Sequence, residues 1–157
     1  MKFSTREDIA APIDYVFERL TDFRAFEREA RRRGIDLSRT DPLAEIGPGF
    51  TWSLRFPLRG KMRRLVFQIA DIQSPSLLKL EGQSSGFNVN SEAQLIALSP
   101  RRTRLMLSFE IRPRNLPARL LLQTVRLNKA NYSRRFAGRV QRHAAQIELD
   151  WAKAQRG

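Results

Sequence analysis

His143 is the chain's one histidine and cysteine is absent, which removes thiolate catalysis, disulfides and the multi-histidine or cysteine metal sites from consideration. His143 stands beside Arg139 and Arg142, and no nucleophile elbow is recognised for it to serve, so a hydrolase triad is not expected. No GxGxxG or P-loop pattern supports a nucleotide cofactor, and no tightly held cofactor is expected. What remains is carboxylate chemistry from Asp71, Glu92 and Glu110, which fall in alternating stretches of sequence. Pointed into a dry pocket, Glu92 would be desolvated and its pKa raised, a mark of functional carboxylates. Alternation instead puts Glu110 on a wet face with Arg112, and solvent exposure is the expectation for Glu92 too. Asn88 and Asn90 are polar groups for a pocket or for an outer face near an edge.

Charge is the stronger signal. The chain has 29 Lys and Arg against 16 Asp and Glu, a formal net charge of +13, which suits an anionic partner or an anionic surface. Arg55, Arg59, Lys61, Arg63 and Arg64 gather around one turn, with no acid between Glu45 and Asp71. A second run, with Arg119, Arg126, Lys129, Arg134, Arg135, Arg139 and Arg142, precedes the next acid, Glu148. Because the aromatic residues occupy inward positions rather than alternating with these arginines, stacking on nucleic-acid bases is the less favoured use. The stretch LPARLLLQTVRL joins leucines to Arg119 and Arg126 as an interfacial docking segment would, although a helix covering a sheet edge reads the same way.

The elements that must position these groups follow from periodicity. Residues 2 to 9 alternate as a half-exposed strand. Pro12 then opens a helix with Ile13, Val16, Phe17 and Leu20 at helical spacing. Asp22 caps a second short helix that Gly34 stops. From residue 35 to 113, six alternating stretches separated by turn residues predict an antiparallel meander, seven strands with the first. Thr103, Leu105, Leu107, Phe109 and Ile111 share a dry face, as do Trp52, Leu54 and Phe56, and Leu65, Phe67 and Ile69. The segment from 116 to 155 covers that face, with a helical stripe at Ala130, Ala137, Val140, Ala144, Ile147 and Trp151. Asn128, Asn131 and Gly138 are candidate interruptions, and LPARLLLQ is a candidate separate helix.

This order of elements, with Ile9, Ala11 and Pro12 followed by Val16, Phe17, Leu20 and Asp22, resembles the SRPBCC or START-like superfamily of polyketide cyclases, lipid-transfer domains and pollen-allergen proteins. The resemblance implies one α+β helix-grip domain over residues 1 to 157, its seven-stranded antiparallel sheet wrapped around a long C-terminal helix with a hydrophobic cavity between. The expected lining is Trp52, Leu54, Phe56, Phe67, Ile69, Leu105, Leu107 and Phe109 from the sheet, with Val140, Ala144 and Ile147 from the helix. The small Ala137, Gly138 and Ala144 would leave room. The expected function is binding or transport of a hydrophobic small molecule or lipid, with or without an acidic group. The alternatives are a cyclase-like or dehydratase-like enzyme working without metal, and a basic adaptor for ribosome, RNA or anionic membrane. No signal-peptide or membrane-spanning pattern is present, and a cytoplasmic soluble protein is expected.

Overall fold

The computed structural model describes residues 1–58 and 60–157. Strand β1 (Lys2–Ile9) leads into helices α1 (Ile13–Leu20) and α2 (Phe23–Arg32). Six strands follow: β2 (Asp36–Arg39), β3 (Thr51–Leu58), β4 (Lys61–Gln73), β5 (Leu77–Gln83), β6 (Phe87–Ser99) and β7 (Arg102–Pro113). Helices α3 (Leu116–Leu127) and α4 (Lys129–Arg156) complete the chain. The seven strands form one antiparallel sheet in the order β1-β7-β6-β5-β4-β3-β2, so β1 crosses over to close the edge beside the last strand. This is an α+β helix-grip architecture, with two short helices after the first strand and a long helix at the end.

Local chemistry sets the boundaries. Pro12 fixes the extended residue before α1, and the Asp22 carboxylate accepts the Ala25 N–H at 3.1 Å to cap α2. Gly34, at a φ of 79°, takes the left-handed conformation that lets the chain leave α2 and turn into β2. Of the three candidate interruptions in the C-terminal segment, only Asn128 breaks the helix; Asn131 and Gly138 lie inside an unbroken α4. The predicted stripe also begins later than expected. Ala130 is exposed, and burial starts at Phe136 and Ala137 before reaching Val140, Ala144 and Ile147.

One face of the sheet looks toward α4. Register places Phe3, Thr5, Glu7 and Ile9 of β1 on that inner face opposite Phe109, Leu107, Leu105 and Thr103 of β7. In β4 an irregularity between Ile69 and Asp71 resets the alternation. Ile72 rather than Asp71 thereby falls in line with Leu78, and Asp71 pairs outward with Lys79. The core gathers Ile9, Trp52, Leu54, Ile69, Leu78, Leu95 and Leu105 from the sheet, Val16 and Phe17 from α1, and Val140, Ala144 and Ile147 from α4.

Helix α4 is fastened at its C-terminal half. The Ala10 N–H donates to Glu148 Oε1 at 2.8 Å, Arg19 pairs with Asp150 at 2.7 Å, and the Tyr15 and Trp151 rings lie 4.9 Å apart. Its most extensive close backbone approaches run along β1, followed by α1. No helix among the described residues is long and apolar enough to cross a membrane.

Candidate functional site

The inner face has two halves. Toward α1 it is dry: Ile9, Leu95, Thr103, Leu105, Leu78 and Ile69 are all buried. Thr103 carries the one hydroxyl fully enclosed there, and its Oγ1 donates to the Ala11 carbonyl at 2.8 Å. Toward the other end, where β3 turns into β4, β5 into β6, and β7 into α3, the inner-face residues stay half-buried. Phe56, Leu65, Phe67, Leu80, Val89, Leu107, Phe109 and Ile111 all belong to this open half.

Two aromatic walls face the opening. On one side Trp52 stacks on Phe67 with centroids 4.9 Å apart and planes 18° from parallel, and Phe26 of α2 sets its edge against both. The indole N–H of the fully buried Trp52 donates to Glu27 Oε1 at 3.1 Å, which satisfies the ring's one polar group. On the other side Phe109 stacks on Phe3 and receives the edge of Phe136 from α4, both at 4.9 Å. Between the walls, β5 offers Gly82, whose missing side chain thins the sheet floor beside Leu65, Phe67 and Val89.

Polar chemistry gathers at the rim and on the outer face. By register Lys61 and Arg63 share the inner-face phase of Phe56 at the β3–β4 tip. Arg55 and Arg64 oppose each other on the outer face, where Arg64 donates to Ser53 Oγ at 3.1 Å. Arg59 lies outside the described residues. Hollows of about 400 and 500 Å³ open on the outer face; their linings include Gln68, Glu81, Gln83, Asn88 and Asn90 in one, and Lys2, Ser4, Arg6, Glu92 and Ser108 in the other. Glu92 and Glu110 are therefore outward residues, Glu92 accepting from Gln94 Nε2 and Glu110 holding Arg112, which depresses its pKa. His143 is exposed, and no cluster of three metal-binding side chains occurs among the described residues. The string GQSSG, Gly82–Gly86, spells the letters of a nucleophile elbow that sequence reading passed over. It forms the β5–β6 hairpin, with the Ser84 hydroxyl accepting from Phe87 N, and lacks the strand-to-helix turn such an elbow needs.

No family model matches the sequence, and no curated protein matches it. Solved structures do. A Thermus thermophilus protein superposes with a TM-score of 0.67 over 96% of this chain and 99% of its own, at 10% identity. The Zhui aromatase/cyclase from a Streptomyces species gives 0.60 over 90% and 94% at 16% identity. A START superfamily protein from Mycobacterium smegmatis gives 0.55 over 90% and 97% at 13% identity. The chain has the START-like helix-grip fold. At such identities the likeness speaks for architecture, and the site has to be argued from this chain's own residues.

Within the helix-grip frame, the eleven residues expected to line a cavity separate. Trp52, Leu54, Ile69, Leu105, Val140, Ala144 and Ile147 are buried core, while Phe56, Phe67, Leu107 and Phe109 keep surface toward the open half. Sequence reading missed Phe3, Phe26 and Phe136 as part of the walls. Phe136 precedes Val140 by one helical turn, a spacing that was available. Phe26 reads as an inward residue of α2, and its place in the wall depends on how α2 packs over β3.

Proposed function

We propose that the protein binds a hydrophobic small molecule or lipid with an anionic head in the open half of the inner face. The observation that supports this is the pair of aromatic walls around the Gly82 floor, where Phe67, Phe109 and Phe136 stay half-buried and Phe26 is exposed, while Ile9, Ile69, Leu95 and Leu105 of the same face are buried. Apolar walls supply affinity, and Lys61 and Arg63 at the rim attract the head. The cyclase-like reading needs ionisable groups set against one another. Of those that register assigns to the inner face, Arg39 is tied to Asp41, Glu7 sits on β1, and Lys61 and Arg63 stand on β4, separated from β1 by three strands. Carriage is therefore the reading these residues favour.

The test is titration with anilinonaphthalene sulfonate, an aromatic anion of the proposed class, together with native mass spectrometry of freshly purified protein. Saturable dye binding and a retained lipid-sized adduct are expected. Gly82→Val, whose Cβ would stand 3.4 to 3.6 Å from Leu65, Phe67 and Val89, fills the floor without forcing the backbone, and should weaken the dye at least tenfold while leaving unfolding stability intact or slightly raised. No adduct and no saturable dye binding in the parent protein would overturn the proposal.

A further inference from the structure

Helix α3 is built the wrong way round for a helix whose only task is to cover a sheet. Its inward side is narrow: of its twelve residues Ala118 and Leu122 are buried, and Ala118 rests on Gly86, where an added Cβ would come within 3.3 Å. Leu116, Leu120 and Leu127, spaced four and seven residues apart, form one stripe on the opposite side and are 65%, 54% and 91% exposed. Arg119 and Arg126, also seven apart, run along the border of that stripe, and both are exposed. No acidic residue occurs between Glu110 and Glu148, and Arg119, Arg126, Lys129, Arg134 and Arg135 form no ion pair among the described residues.

The helix is also anchored at its N-terminus. Asn115 Oδ1 accepts the Ala118 N–H at 3.0 Å, its amide nitrogen donates to the Ser85 carbonyl at 3.3 Å, and Arg114 donates to the Ser84 carbonyl at 2.7 Å. The stripe is thus presented outward from a fixed platform on the β5–β6 hairpin. Topology puts the β3–β4 tip, with Lys61, Arg63 and Arg64, at the same end of the sheet.

We infer that this end of the molecule docks on an anionic lipid bilayer, with the α3 leucines entering the headgroup region and the arginines lying against the lipid phosphates. Charge complementarity selects this occupant. A second copy of the chain would bring Arg119 and Arg126 against their own kind, with no acid in the segment to relieve them. A nucleic acid would answer the arginines but leave the leucine stripe in water. An anionic bilayer answers both at once. The inference stands on the outer surface of α3 and holds whether or not the groove carries a ligand.

The experiment is flotation of the full chain with vesicles of phosphatidylcholine alone and of phosphatidylcholine mixed with phosphatidylglycerol, over a range of salt. Binding is expected only to the mixed vesicles and should weaken as salt rises. Leu120→Gln/Leu127→Gln, at sites too exposed to disturb folding, should reduce partitioning about tenfold or more. Arg119→Gln/Arg126→Gln should reduce it about fivefold per arginine. Ile96→Gln/Leu98→Gln, which alters exposed apolar residues toward the other end of the sheet, should bind like the parent. A Leu120→Trp reporter should shift its emission to the blue on mixed vesicles. Failure to float with mixed vesicles overturns the inference. So does a leucine double variant that floats like the parent, a parent that self-associates through these leucines without floating, or RNA binding that ignores them.

Discussion

Thr103 shows how much one hydroxyl decides in this fold. Alternation assigns it to the dry face among leucines, where a free hydroxyl would be costly, and the structure resolves that conflict by aiming Oγ1 at the Ala11 carbonyl. Ala11 and Pro12 lie where β1 hands over to α1, so the hydrogen bond ties β7 to the turn that starts the first helix. Thr103→Val keeps the shape and removes the donor, leaving a buried carbonyl unpaired. It should lower unfolding stability by about 1–3 kcal/mol in urea titration, and a neutral result would mean that water reaches Ala11. Trp52 carries the matching lesson on the other wall. Its burial was readable from its phase with Leu54 and Phe56, but the Glu27 carboxylate that receives its N–H comes from α2 and has no sequence signal, because only tertiary packing brings the two together.

At the scale of elements, the strands were legible because each keeps a period of two against a single dry face. The reading failed where that period is broken or irrelevant. In β4 the reset after Ile69 swaps Asp71 for Ile72 on the inner face, and no residue type near Ala70 announces it. In the C-terminal segment Gly138 suggested an interruption, yet burial of Val140, Ala144 and Ile147 on one side and the fastening of Glu148 and Asp150 hold the helix through it. A weak propensity lost to tertiary contacts. Gly138 therefore costs stability without shaping the backbone. A Cβ there would meet only the Arg142 guanidinium, at an ordinary 3.5 Å. Gly138→Ala should raise stability by about 0.5–1 kcal/mol, read as a higher urea midpoint with an unchanged slope. A loss of stability would show that the site is tighter than its neighbours indicate. The groove was half legible for a related reason: periodicity tells which residues face inward, but not where α4 stops covering them.

For the whole molecule, a net charge of +13 makes each remaining carboxylate matter twice, once for its partner and once for the balance. Asp8 is held by Arg104, Asp41 by Arg39 and the Thr51 and Leu43 N–H groups, and Asp150 by Arg19 and Gln146, so all three carboxyls titrate below the ordinary aspartate value of 3.8. These bonds join β1 to β7, fix the loop before β3, and fasten α4 to α1. Because the folded pKa lies below the unfolded one, the stability each supplies is complete above the unfolded value and drains away as pH falls through the folded value. Protonation also leaves the arginines unopposed, so self-repulsion acts in the same direction. The urea midpoint should stay level from neutrality to about pH 5, then fall steadily below about pH 4. Added salt should restore part of the loss by screening the arginines without restoring the protonated carboxylates. A midpoint that holds level or rises below pH 4 would mean that these pairs persist in the unfolded chain and contribute nothing to the native state.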